Sequence, residues 1–174
     1  MSSSPAPLRG SLIGFGQVAE KAHLPAFKKN SIEIAAVVDE NPERLKAACL
    51  ALPAARSYSS LEAMLGKERG LDFIDIATPP FLHSQQALAA LKTGQHVLCE
   101  KPLALSPEDL GTLRLCAARA GLTVFTVHNW AYAPQWLKVF SLIAEGRLGK
   151  IRHAELHALR TQPAASALPG SWRR

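Results

Sequence analysis

The sequence predicts an α/β protein built on a doubly wound parallel sheet, followed by the start of an incomplete α+β second domain. Three observations predict it. Short, continuously apolar runs alternate with stretches of helical spacing. A glycine-containing turn, Gly14-Phe15-Gly16-Gln17-Val18-Ala19, stands between the first apolar run and the first helical stretch. Later runs end abruptly in polar or proline-rich segments, as at Glu100-Lys101-Pro102. Strands that are apolar throughout, rather than alternating, belong to a parallel sheet covered on both faces.

The elements follow in order. Leu8 to Ile13 reads as a first strand and 17–28 as a helix. Ile32 to Val38 is a second strand. Asn41-Pro42 starts a helix, with proline at its favoured first position, and Leu45, Ala48, Cys49 and Leu52 follow at helical spacing. Tyr58 lies in a short third strand, and Ser60 opens a helix carrying Leu61, Met64 and Leu65. Residues 72–78 are a fourth strand, 83–94 a helix and 96–99 a fifth strand. Ser106-Pro107-Glu108-Asp109 resembles a capping box; Leu110, Leu113 and Ala117 should line the inner face of the helix it starts, which Gly121 ends. Residues 123–127 are the sixth strand. This gives a loose arm over 1–7, a dinucleotide-type domain over 8–130, and a remainder over 131–174. In the remainder, Pro134 starts a helix with Trp136, Val139, Phe140 and Ile143 on one face. After Gly146, Ala154, Leu156 and Ala158 alternate with polar residues, as in a half-buried strand.

Composition narrows the function. Of 174 residues, 48% are apolar and 20% charged, a globular balance. The net charge is +6, but the basic residues are scattered and no nucleic-acid motif is present, so no nucleic-acid partner is expected; an anionic small ligand fits as well. No apolar run has the length of a membrane span, and the first residues lack the apolar core of a signal peptide. A cytoplasmic location without membrane contact is expected. Cys49, Cys99 and Cys116 read as buried small hydrophobes, and no metal site is expected.

The turn from Gly14 to Ala19 is G-x-G-x-x-A between strand and helix. The first glycine permits the tight turn, the second lets a pyrophosphate approach the backbone, and the small third residue lets helix and strand pack closely. Asp39 ends the second strand, 25 positions after Gly14. A carboxylate there accepts hydrogen bonds from an adenosine ribose and repels a 2′-phosphate, so NAD is favoured over NADP. Arg44 is the nearest cation that could reach over it. Ligands in such sheets bind at the carboxyl ends of the strands. There the fourth strand delivers Thr78, Pro79 and His83, the fifth Glu100 and Lys101, and the sixth His128-Asn129-Trp130.

These motifs, in this order and spacing, resemble the Gfo/Idh/MocA oxidoreductases from about Leu8 through Arg174, with E-K-P the most specific element. The resemblance implies NAD(P)-dependent oxidation or reduction of a sugar, cyclitol or related compound. It implies that Gly14, Phe15, Gly16, Gln17 and Val18 approach the pyrophosphate and Asp39 the ribose. Thr78, Pro79, His83 and Glu100 would line the nucleotide cleft, and Asn129 would lie near the nicotinamide. Lys101 would be the catalytic-site lysine, beside the cofactor and the reacting oxygen. His23 matches a recurrent family position, with packing or a helix end its expected role rather than catalysis. Two departures stand out. Ala131 replaces a common arginine, and the G-G-G and D-x-x-x-H motifs of the family's second domain are absent. The chain is therefore expected to be a natural truncation, a fragment or the product of a disrupted reading frame. It should bind cofactor yet show little or no turnover, and its last strand could pair with another copy. Two other readings remain open: a non-enzymatic dinucleotide-binding or regulatory protein, and an NAD-dependent glycoside hydrolase. Pro102 ends the fifth strand, and a cis Lys101–Pro102 bond is expected.

Overall fold

The computed structural model describes residues 7–157 and 159. The expected arm at 1–6 and Ala158 lie outside the described residues. The chain divides between Val127 and His128 into two compact units.

The first unit holds a six-stranded sheet. Its strands are β1 (Arg9–Ile13), β2 (Glu33–Val38), β3 (Arg56–Tyr58), β4 (Phe73–Ile76), β5 (His96–Cys99) and β6 (Val124–Thr126). Their order is β3-β2-β1-β4-β5-β6, and every neighbouring pair is parallel. Strand order reverses between β1 and β4, which opens a crevice at the carboxyl ends of those strands.

Helices cover both faces. A π turn (Ala19–His23) runs into α1 (Leu24–Lys29), followed by α2 (Pro42–Ala51), α3 (Leu61–Lys67), α4 (Pro80–Lys92) and α5 (Pro107–Ala120). Leu12, Phe15, Ala19, Leu24, Phe27, Val37 and Ala48 form the core on the α1–α2 face. Ile13, Val38, Met64, Ile74, Ile76, Ala87, Leu91, Val97 and Leu113 form the core on the α3–α5 face. Because a β-strand sends successive side chains to opposite faces, Leu12 and Ile13 serve different cores.

The helix starts follow local chemistry. Asn41 accepts from the amides of Glu43 and Arg44, Ser60 from Ala63 and Ser106 from Asp109. Gly121 closes α5 with a φ of +66°.

Four expectations change. The helix expected over 83–94 starts earlier, at Pro80, the first residue of α4, where its missing N–H has no bond to lose. Cys49 is exposed and Cys116 half-buried, so only Cys99 is a core thiol. Leu110 is exposed, because helical spacing alone does not say which apolar residue faces the sheet. In the second unit, Asn129–Tyr132 form a 3₁₀ turn and Pro134–Ala144 form α6, along which the Trp136 and Phe140 rings stack at 6.1 Å. Residues 151–157 form no strand and are exposed. An alternating pattern becomes a strand only beside a neighbour that takes its backbone hydrogen bonds.

Candidate functional site

The site grows from the turn after β1. Gly14 has a φ of +86°, and a Cβ there would lie 2.9 Å from both the Ala77 carbonyl oxygen and the Thr78 methyl. Two constraints therefore require glycine: the left-handed backbone and the neighbouring β4 turn. A Cβ on Gly16 would meet nothing within 4 Å, so space is open above that peptide. The Gly16 carbonyl accepts from Glu20 N at 3.0 Å, which starts the helix. The first helical amides, at Gln17 and Val18, consequently have no acceptor one turn back, and both residues are exposed. Ala19 is fully buried against the sheet, where a larger side chain would hold helix and strand apart.

Asp39 closes this end. It is buried, and its two oxygens accept from Phe15 N at 2.7 Å and Asn41 N at 2.9 Å. The carboxylate thus fixes the turn, and each oxygen keeps a second lone pair for another donor. Arg44, on the first turn of α2, is exposed. Phe15 itself is a core residue, so only its backbone faces the turn.

The β4 and β5 ends are held differently. The Thr78 hydroxyl donates to Gln86 Oε1 at 2.6 Å, so it is tied to α4. Pro79 is half-buried and caps α4. His83 is buried, with Nε2 2.7 Å from the Thr78 carbonyl and Nδ1 2.8 Å from the Pro102 carbonyl. Its part is to tie the β4 turn to the loop after β5, since neither ring nitrogen is left for a ligand. Glu100 N continues the ladder to Ile76 O at 2.8 Å. Lys101 is exposed, and the Lys101–Pro102 bond is cis, as expected from the sequence. Asn129 and Ala131 belong to the second unit.

Two buried side chains and the half-buried Glu100 form a trio behind Lys101. His23 Nδ1 lies 2.7 Å from Asp75 Oδ2, and Nε2 lies 3.1 Å from Glu100 Oε1. With both carboxyls ionised, each ring nitrogen carries a proton and donates it. Burial opposes that charge, but hydrogen bonds to Asp75 and Glu100 outweigh it and raise the His23 pKa to about 9. The hydrogen bond from His23 holds Glu100 below the usual carboxylate range. Burial pushes the Asp75 carboxyl up against the opposing pull of His23. Burial, helped by the charges of Asp75 and Glu100, pushes the Cys99 thiol up to about 12, which makes it inert packing. Asp75 was missed in the sequence. The signal was an acid in the middle of an apolar strand, which must find a partner once buried.

Residues 8–128 match an oxidoreductase family with an NAD-binding Rossmann fold, Gfo/Idh/MocA. The chain belongs to that family. It is 32% identical over 156 residues to 1,5-anhydro-D-fructose reductase of Ensifer adhaerens, covering 89% of this chain and 46% of the reductase. The WlbA dehydrogenase of Bordetella pertussis, solved with NADH and UDP-GlcNAcA, is 33% identical with a TM-score of 0.78, over 83% of this chain and 44% of WlbA. KijD10, a 3-ketoreductase of Actinomadura kijaniata solved with NADP and TDP-benzene, is 26% identical with a TM-score of 0.73, over 81% and 43%. The chain therefore spans less than half the length of these relatives and covers mainly the cofactor-binding part. The family binds NAD(P), and its solved members include both NADH and NADP complexes. No described helix is long and apolar enough to cross a membrane.

Proposed function

We propose that this chain is the cofactor-binding half of an NAD(P)-dependent oxidoreductase acting on a sugar, cyclitol or related hydroxyl or carbonyl compound. One observation carries the proposal: the glycine turn, Asp39 and Lys101 stand at the carboxyl ends of β1, β2 and β5 of one parallel sheet, on either side of the reversal of strand order. The residues fit a dinucleotide. Space is open over Gly16, the Gln17 and Val18 amides lack helical acceptors, and Asp39 has lone pairs to accept from ribose hydroxyls. When bound, the cofactor supplies the hydride donor or acceptor.

The chain's own groups do the rest. The turn amides hold the anionic diphosphate. Thr78 and Pro79 contribute backbone and wall to the cleft. Lys101 hydrogen-bonds the reacting oxygen and moves or stabilises its proton. NAD is the preferred cofactor. Asp39 is buried and fixed by two amides, so it cannot swing away from a 2′-phosphate, which it would repel.

Isothermal calorimetry of the chain with NADH and NADPH tests this reading. The expected result is binding of NADH at least about tenfold tighter than NADPH, a difference of about 1.4 kcal/mol. Absence of binding by either nucleotide would overturn the proposal, and a preference for NADPH would overturn the NAD assignment.

A further inference from the structure

The loop that carries Lys101 is tied from both faces of the sheet. On the α4 face, the His83 ring meets the Pro102 carbonyl. On the α1 face, the His23 ring meets the Glu100 carboxylate, whose other oxygen accepts from Lys101 N at 3.3 Å. We propose that His23 is a positioning residue for Lys101, holding the Lys101 peptide in place through Glu100. The proposal rests on Lys101 being the site lysine.

Three features support more than a packing role. His23 ends the π turn, a distortion that recurs at functional sites. Its partners come from two neighbouring strands, Asp75 in the middle of β4 and Glu100 at the end of β5, so the ring registers the loop against the sheet. Glu100 immediately precedes Lys101, which makes the path from ring to lysine peptide two hydrogen bonds long. The groups facing His23 are Asp75 from β4, Glu100 at the β5 end, with Lys101 beyond it, and the Phe27 ring from α1 at 6.3 Å. Only the two carboxylates among them bind the ring nitrogens.

Carbon-detected magnetic resonance of the labelled 174-residue chain tests this, titrated from neutral pH to well above 9. The His23 ring, the Glu100 carboxyl carbon and the Lys101 backbone carbons are followed together. The expected result is that Lys101 carbons shift with the same midpoint as the His23 ring, near 9. In His23→Gln that component should vanish. A packing-only histidine would change the unfolding midpoint and leave the Lys101 carbons flat through the His23 titration, which overturns the proposal. Should His23→Gln not fold, the wild-type co-titration alone decides. The readout needs no cofactor, so failure of NADH to bind would sink the cofactor assignment and leave this test standing.

Discussion

The two ends of the crevice are built from different materials. At β1 and β2 the site is made of backbone: a left-handed glycine, open space over Gly16, unpaired helix amides and one carboxylate gripping the turn. At β4 and β5 it is made of side chains: two buried histidines reach strand ends from opposite faces. The difference teaches where each end is fragile. Backbone sites fail when a Cβ is added. Side-chain bridges fail when one partner is removed and a buried charge is left alone.

The largest expected effect breaks the β4–β5 end. His23→Leu leaves Asp75, fully buried, without its partner, and should cost about 3–5 kcal/mol in urea unfolding. At the other end, Gly14→Val adds left-handed strain and a clash at 2.9 Å with the Ala77 carbonyl, and should cost roughly 2–4 kcal/mol. Comparable losses from the two would sharpen the contrast, since the chemistry of each loss differs. A smaller change needs no mutation. His23 has a pKa raised from 6.5 to about 9, so the stability it contributes is complete below 6.5 and disappears as pH rises through 9. The urea midpoint of the wild type should fall over that range. The smallest effect on folding separates binding from stability. Gly16→Ala meets no neighbour and should shift stability by less than about 0.5 kcal/mol, yet weaken NADH binding roughly tenfold in calorimetry.

The contrast also explains what could be read from the sequence. The backbone end was legible, because glycines at fixed offsets between strand and helix have few other uses, and Asp39 follows at the expected strand end. Strand alternation was legible for a similar reason, and the parallel order agrees with it. The side-chain end was not. His23 and Asp75 are 52 positions apart, and nothing local marks them as partners. Asp75 reads as a blemish in an apolar strand until the ring that meets it is known. His83 was visible as a polar residue near the cleft, but its burial between two carbonyls depends on the path of the loop after β5. Exposure of Leu110 and Cys49 likewise depends on which way a helix turns its apolar residues, which spacing leaves open. Residues 151–157 carried a strand pattern, but pattern without a pairing edge makes no strand.

The double attachment of the Lys101 loop has a mechanical side. One tether comes through a carboxylate and one through a carbonyl, and they pull from opposite layers of the molecule. A segment moored at a single point can swing about it. A segment moored on two sides can follow only the body to which both moorings belong. The frame of reference for Lys101 is therefore the sheet itself, so a shift of either helix layer alone is resisted by the opposite mooring before it reaches the lysine.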